Sequence, residues 1–194
     1  MIGYPLQLFH IWTGKGSNGK SLLSTFLNTT LGAYYGLLNV ALITQKRGSA
    51  DSANPSLSEK IFTRCLITSE TDENQALNTG LMKIMTGGEN YECRGLYKSN
   101  VKFIPQWKII LLCNNIPDLD NDDGGTRRRL RIIPFPFQFC DDPKLSNERQ
   151  RDDNLENTLK KYESKLAFFD IHIKYLKLYK KEGFTQLEIM KYKT

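Results

Sequence analysis

The chain has 194 residues, of which 40% are hydrophobic and 25% are charged. This length and balance predict one compact core and exclude long disorder, because enough apolar residues are present to build that core. The 27 basic and 21 acidic residues give a net charge of +6, which permits a polyanionic partner without requiring one.

No apolar run approaches the roughly 18 residues of a transmembrane helix, so a membrane partner is not expected. The four cysteines show no C-x-x-C spacing and are accompanied by only two histidines. The sequence therefore predicts neither a zinc site nor a disulfide framework, and a reducing, intracellular setting is expected. The N-terminus lacks the basic start of a secretion signal, and Met1 is interpreted as the start of a piece of a longer protein.

Short apolar runs followed by polar or glycine-rich sequence predict the strands. Three of these runs, Leu6–Trp12, Cys65–Thr68 and Lys108–Cys113, are expected to be buried. A fourth, Arg131–Phe135, contains a proline and is expected at a sheet edge.

Helical patterns lie between these strands, among them Ser21–Leu31 and Asn78–Met85. Strands that alternate with helices predict an α/β fold in which helices cover both faces of a parallel sheet. The stretch Thr44–Ser58 has turn composition and is predicted to be a surface loop.

Apolar residues in the tail recur at alternating spacings of four and three, which predicts a long amphipathic helix. The stripe consists of Leu155, Leu159, Tyr162, Leu166, Phe169, Ile173 and Leu176. Gly183 is expected to end the helix, so packing on the core is favoured over a coiled coil. We divide the chain into a core, residues 1–140, and a C-terminal helical region, residues 141–194.

The strongest motif is GKGSNGKS, which fits G-x-x-x-x-G-K-[ST] and begins at Gly14. Glycines let backbone N–H groups curl around phosphates, and the following helix directs its positive end at them. Lys20 is expected to contact the β- and γ-phosphates, and Ser21 to place its hydroxyl on Mg²⁺. Nucleotide binding, with ATP as the default, is predicted at Gly14, Lys15, Gly16, Ser17, Asn18, Gly19, Lys20, Ser21 and Leu22.

Polar side chains follow two of the predicted strands, and both strands are expected beside the P-loop strand. Glu70 is predicted to activate water and to support the metal, with Asp72 and Glu73 as substitutes on the metal side. Asn114 is predicted to hold the attacking water. Asparagine is also a common turn residue before proline, and that reading stays open.

Two basic regions have more than one interpretation. The arginines of Arg127–Arg131 could neutralise charge on a transferred phosphoryl group, and in a ring one of them could reach the nucleotide of a neighbouring subunit. They could also contact a phosphate backbone or simply face solvent. Thr86–Pro105 alternates like a β-hairpin, which could be a plain solvated hairpin or could bind single-stranded nucleic acid. The residues suited to such binding are Arg94, Tyr97, Lys98 and Lys102.

The order of five motifs closely resembles the superfamily 3 helicases, in particular the primase–helicases of phages and of large, poxvirus-like DNA viruses. The motifs cover nearly the whole chain and read GKGSNGKS, RCLITSETDE, MTGGENYECRGLYK, KIILLCNNIPD and RRRLRIIPF. The resemblance implies an AAA+-like P-loop fold with three layers, a homo-hexamer, and ATP hydrolysis at subunit interfaces. It also implies three-prime to five-prime translocation on single-stranded or forked DNA, within the host cytoplasm or the site of viral replication.

Site residues follow from the resemblance by position. Lys20 and Ser21 match the Walker A motif, Glu70 the Walker B acid, and Asn114 the sensor. The trans arginine finger is Arg128 or Arg129, and Arg129 is favoured because it directly precedes the apolar residues of the strand. Lys98 becomes the leading DNA contact.

The chain departs from the family pattern in two respects. Arg127 stands where the family has an aromatic residue before the paired arginines. The primase domain that is usual upstream is not in this sequence and is expected elsewhere in the same polypeptide.

Two other functions remain open at this point. One is a DNA-binding initiator or structural ring with weak ATPase activity, since Glu70 lacks an adjacent second acid. The other is a small-molecule P-loop kinase with the arginine run as its lid, which would leave the basic hairpin unexplained.

Overall fold

The computed structural model describes residues 4–45, 55–69, 75–94 and 99–183. Its strands are β1 (Phe9–Thr13), β2 (Tyr35–Leu37), β3 (Cys65–Thr68), β4 (Tyr91–Arg94), β5 (Asn100–Phe103), β6 (Lys108–Cys113), β7 (Leu130–Pro134), β8 (Gln138–Cys140) and β9 (Glu148–Gln150). Its α-helices are α1 (Lys20–Leu31), α2 (Ala41–Thr44), α3 (Pro55–Ser58), α4 (Thr79–Gly87), α5 (Gly124–Arg127), α6 (Leu155–Lys160) and α7 (Tyr162–Glu182).

Five strands form one parallel sheet in the order β2-β3-β6-β1-β7. In register, Phe9 of β1 lies opposite Ile109 of β6 and Leu130 of β7. The parallel sheet confirms the predicted α/β fold, and β7 at the edge confirms the position expected for Arg131–Phe135. The expectation that β3 lies beside the P-loop strand is wrong, because β6 returns from the hairpin and inserts between β3 and β1.

Alternation along the strands divides the core between the two faces of the sheet. Phe9 and Ile11 point to one face, where they pack in a cluster with Ile43 of α2, Leu57 of α3 and Met82 of α4. A second cluster on the other face contains the strand side chains Trp12, Cys65, Ile67, Ile110 and Leu112. Leu23 and Leu27 of α1 and Phe168 of α7 pack against them. The fold therefore has the expected three layers, with helices on both sides of a central sheet.

The loop predicted at Thr44–Ser58 is helical at both of its described ends. Thr44 closes α2, and Pro55 to Ser58 form α3, whose Leu57 is fully buried. Residues 46–54 lie outside the described part of the chain. A single buried leucine among polar and turn residues gave no periodicity from which a helix could be predicted.

The predicted tail helix is interrupted at Lys161, whose backbone is extended (φ −65°, ψ 148°). After this break, α7 contacts α1 through Phe168, whose ring stacks on that of Phe26 with 4.4 Å between the ring centroids. The predicted stripe is confirmed in part, since Leu159, Ile173 and Leu176 are half-buried. It is wrong for Leu166 and Phe169, which are 46% and 50% exposed.

Gly183 ends α7 with φ 72°, as predicted. Among the helices of the described ranges, none combines the length and the apolarity that crossing a membrane needs.

Candidate nucleotide-binding cleft and basic edge

The P-loop joins the carboxyl end of β1 to the first turn of α1, and its backbone is tightly shaped. Ser17 and Gly19 have left-handed φ values of 59° and 86°. A Cβ atom at Gly14 would lie 2.5 Å from the carbonyl oxygen of Phe135. Glycine at position 14 therefore permits a close backbone approach that no other residue allows.

Two polar side chains of the loop are buried, and one of them leaves a donor unused. Lys20 is 6% exposed, and its Nζ donates to the carbonyl of Gly14 at 2.5 Å. Asn18 is 8% exposed, and its Nδ2 has no hydrogen-bond partner among the described residues. Because buried donors are normally paired, this amide fits an acceptor that enters the loop, such as a phosphate oxygen.

A cleft of about 990 Å³ opens beside the loop at the carboxyl edge of the sheet, where β1, β3 and β6 end. Of the predicted binding residues within the described chain, Gly16, Ser17, Asn18, Lys20 and Ser21 line this cleft, whereas Gly14, Lys15, Gly19 and Leu22 do not. Asn114, at the end of β6, also lines the cleft, which brings the predicted water-holding amide next to the loop.

The predicted acids cannot be placed, because Glu70, Asp72 and Glu73 lie outside the described residues. Ser69 directly precedes Glu70 and lines the same cleft as Asn114. The chain following β3 therefore enters the cleft even though β3 is one strand removed from β1. Ser21 is exposed at the cleft and is the described residue with a hydroxyl suited to Mg²⁺.

The far wall of the cleft was not predicted. It consists of Leu37, which ends the edge strand β2, the three residues that follow it, and Glu59 and Lys60. A three-residue edge strand and two charged residues in a turn carry no pattern that points to a site. Their position depends on tertiary packing, since Gly36 of β2 lies close to the aliphatic part of Lys60.

The arginine run lies at the amino edge of the sheet, where β1, β6 and β7 begin. The N–H of Phe9, at the start of β1, donates to the carbonyl of Arg129 at 2.8 Å. Arg129 is 8% exposed, and its Nη1 donates to the carbonyl of Gly125 at 2.9 Å. Its guanidinium is therefore held within its own subunit.

The other arginines of the run differ in what their guanidinium groups contact. Arg127 forms a bidentate pair with Asp122 at 2.8 and 2.7 Å. Arg131 donates through Nη1 to the carbonyl of Arg128 at 2.9 Å. Arg128 is exposed and makes no ion pair within the described residues. Arg129, the favoured candidate for the trans arginine finger, is thus buried, whereas the other candidate, Arg128, is exposed.

The acidic loop before the arginines fastens α4 to α5. Asp123 accepts from Lys83 Nζ at 2.5 Å and from the N–H of Thr126 at 2.8 Å. The hydrogen bond from Lys83, followed by that from Thr126, lowers the pKa of Asp123 to about 2. Asp120 accepts from both the N–H and the hydroxyl of Thr79, at 2.9 and 2.7 Å.

The predicted hairpin is confirmed as the antiparallel pair of β4 and β5. Lys102 lies opposite Glu92, with Nζ 3.5 Å from Oε2, and its side chain is 69% exposed. The side chain of Arg94 and all of Tyr97 and Lys98 lie outside what the structure describes. Within the described part, the basic face is therefore represented by one partly compensated lysine.

The base of the hairpin is rigid and lies at the amino edge. Three aromatic rings pack edge to face, with centroids of Phe103 and Trp107 5.4 Å apart and of Tyr91 and Phe103 5.9 Å apart. Trp107 Nε1 also donates to the carbonyl of Lys60 at 2.7 Å. Trp107 directly precedes β6, so the base of the hairpin is joined by a short stretch of chain to the strand that Asn114 follows.

Comparison with known proteins finds relatives in large DNA viruses. The family model described as "Family of unknown function (DUF5906)" matches residues 12–129. The mimivirus protein "Putative helicase L207/L206" is 37% identical over 187 residues, which are 91% of this chain and 19% of that protein. The frog virus 3 protein "Putative helicase 022R" is 30% identical over 141 residues, 71% of this chain and 14% of that protein.

An African swine fever virus protein, "Putative primase C962R", is 28% identical over 150 residues, which are 77% of this chain and 16% of that protein. The chain thus spans less than a fifth of these relatives. The solved structure "The apo structure of NrS-1 C terminal region (305-718)" superposes with a TM-score of 0.60 at 17% identity, over 84% of this chain and 36% of that chain. This likeness supports the fold.

The relatives confirm the resemblance that the order of motifs predicted. The chain belongs to the DUF5906 family and is similar to the proteins named helicase and primase in large DNA viruses.

Proposed function

We propose that this chain is the motor domain of a viral replicative DNA helicase and that it hydrolyses ATP in the cleft at the carboxyl edge of the sheet. The observation that carries the proposal is the convergence of three chain segments there: the P-loop, Asn114 at the end of β6, and Ser69 after β3. A buried loop amide without a partner, at Asn18, supports a polyanionic ligand in the same place.

The chain's own residues have distinct roles in this proposal. Lys20 exchanges its contact with the Gly14 carbonyl for phosphate oxygens, and Asn114 holds the attacking water. Glu70 accepts a proton from that water. Ser21, with Glu70, would hold Mg²⁺, which when bound neutralises charge on the phosphates.

The arginines support a proposal that the working form is a ring. β1 has five residues and spans about 16 Å, so the arginine run lies a full strand length from the P-loop of its own subunit. Arg128 is exposed at that opposite edge and would reach the nucleotide of a neighbouring subunit. We propose a homo-hexamer, in which each cleft is completed by the next protomer.

The hairpin is proposed to contact single-stranded or forked DNA through Arg94, Tyr97, Lys98 and Lys102. Basic side chains follow the phosphate backbone and an aromatic ring can stack on a base. The relative named as a primase supports a primase domain upstream in the same polypeptide. The proposed place of action is the site of viral DNA replication in the host cell.

The test is ATP turnover with and without a single-stranded oligonucleotide. We expect DNA to stimulate hydrolysis, and we expect Lys20→Ala to lower turnover roughly 100-fold or more, because a buried cation at the phosphates is removed. Lys144→Ala is the matched control, since Lys144 is an exposed lysine paired with Asp142 away from the cleft.

Wild-type turnover in Lys20→Ala would refute the assigned site. Hydrolysis that DNA leaves unchanged would refute the coupling of the cleft to a nucleic-acid track.

A further inference from the structure

The chain that leaves β7 is hydrogen-bonded along the P-loop, and β7 flanks β1 on the side opposite β6. The N–H of Phe135 donates to the carbonyl of Thr13 at 2.7 Å, and the N–H of Phe139 donates to the carbonyl of Ser17 at 2.8 Å. Together with the close approach of Phe135 to Gly14, these contacts fix the segment from residue 135 to residue 139 against the loop. Its side chains therefore have fixed positions relative to any ligand in the loop.

One ring of this segment lies against the start of α1. Cε2 of Phe139 is 3.8 Å from the position that a Cβ atom would take at Gly19, which caps the helix. The residue is 39% exposed. Phe139 has no ring or cation partner within the described residues, and part of its surface is open to solvent.

A neighbouring ring differs in this respect. Phe137 is 43% exposed, and the guanidinium of Arg149 lies 4.2 Å from its ring centroid. Arg149 is itself held by the carbonyls of Ser146 and Glu148, at 2.8 and 2.6 Å. A fixed cation therefore occupies a face of Phe137, whereas Phe139, two residues later, has no such partner among the described residues.

The two sides of the P-loop face different parts of a bound triphosphate. β6 and β7 flank β1 on opposite sides, and the cleft with Asn114 and Ser69 lies on the β6 side. If the terminal phosphate faces those residues, the nucleoside leaves the loop toward β7, where Phe139 lies. The open ring is thus placed beyond the end of the phosphate chain.

We propose that Phe139 is the stacking platform for the nucleobase of the nucleoside triphosphate. This inference rests on the proposed function, since it assigns the base end of the same ligand. Stacking recognises the face of a base and not its hydrogen-bonding edge, so ATP and GTP bind with similar affinity at this platform. Removal of the ring weakens binding of the nucleotide but not of its phosphates.

The experiment compares two ligands by calorimetric titration of the 194-residue chain with Mg²⁺ present: ATP and inorganic tripolyphosphate. We expect Phe139→Ala to weaken ATP about tenfold and to leave tripolyphosphate unchanged. Phe139→Trp should restore ATP affinity, because it restores an aromatic face. Phe137→Ala is the matched control and should retain wild-type affinity for both ligands.

The outcomes distinguish a failure of the stacking proposal from a failure of the proposed function. Unchanged ATP affinity in Phe139→Ala, or an equal loss for ATP and tripolyphosphate, would overturn the platform while leaving the nucleotide site in place. The second result would mean that the ring only supports the loop. If the wild-type chain bound neither ligand, the platform and the proposed function would both fail.

Discussion

The two edges of the central sheet differ in what they contribute to a nucleotide site. The carboxyl edge provides the P-loop, Asn114 and a cleft of about 990 Å³. The amino edge provides an exposed arginine, Arg128, and the base of the basic hairpin. The carboxyl edge thus carries Lys20 and Lys60 at its cleft, whereas the amino edge presents the exposed guanidinium of Arg128. In the ring that we propose, the exposed arginine of one subunit would complete the phosphate site of the next.

One strand, β6, also connects the two edges of the sheet. β6 begins directly after Trp107 at the hairpin base and is followed by Asn114 in the cleft. Its six residues are all buried, so a shift at one end is transmitted along a packed strand. In the proposed motor, this strand is the shortest covalent path between the nucleotide and the DNA.

The largest expected effect concerns the choice between adjacent arginines. Arg128→Ala should lower ATP turnover roughly 10³-fold and leave ATP affinity nearly unchanged, because the exposed guanidinium acts on a neighbour's transition state. Steady-state kinetics and a separate binding titration measure the two quantities.

Two neighbours serve as controls for Arg128. Arg127→Ala should retain activity, since Arg127 is engaged with Asp122. Arg129→Ala should instead lower the free energy of unfolding by about 1 to 3 kcal/mol, because it removes a buried, hydrogen-bonded group. A kinetic loss in folded Arg129→Ala with full activity in Arg128→Ala would restore the original assignment.

A smaller effect is expected at the hairpin. Lys102→Ala should weaken single-stranded DNA binding and reduce the salt slope by about 1, because one phosphate contact is lost. Lys98→Ala should weaken binding more, since Glu92 partly compensates Lys102. Fluorescence anisotropy across a salt series measures both variants.

Lys160→Ala provides the comparison for the hairpin lysines, because Lys160 is also an exposed lysine paired with a glutamate, at 2.8 Å. Equal losses in the three variants would indicate a general charge effect and would remove the hairpin from the DNA path.

The smallest effect tests the brace between α4 and α5. The pKa of Asp123 is about 2 in the folded protein and about 3.9 in the unfolded chain. The ionised carboxylate therefore makes its full contribution to stability above about pH 4, and this contribution is lost as the pH falls toward 2. Asp123→Asn should therefore have a lower Tm than wild type above about pH 4, and the difference should narrow below it. Asp142→Asn, which removes an exposed ion pair, should show no such narrowing of its Tm difference from wild type. A Tm difference of Asp123→Asn that stayed constant with pH would rule out the ion pair as the cause.

The sequence predicted those parts of the molecule that depend on local pattern. The P-loop, β1, β6 and Asn114 follow from a motif and from short apolar runs with polar ends. The strand order did not follow, because which strands pair is decided by crossovers that span whole elements. β2 was missed because three residues at an edge show no period.

The tail shows why a regular apolar pattern can still misplace some of the residues on the packed face of a helix. The spacing from Leu155 onward is regular, but the backbone leaves the helix at Lys161 and resets the phase. Phe168 and His172 then share the face that meets α1, with their rings 4.4 Å apart. A break of this kind has no signature in the apolar spacing itself.

The most direct test of the central claim, that each cleft is completed by the opposite edge of another subunit, is a mixing experiment. Lys20→Ala has an intact arginine edge and Arg128→Ala an intact P-loop edge, and each alone should be inactive in DNA-stimulated ATP turnover. An equal mixture should recover about a quarter of wild-type turnover, since one interface in four pairs two intact edges. A mixture no more active than its separate components would contradict the account.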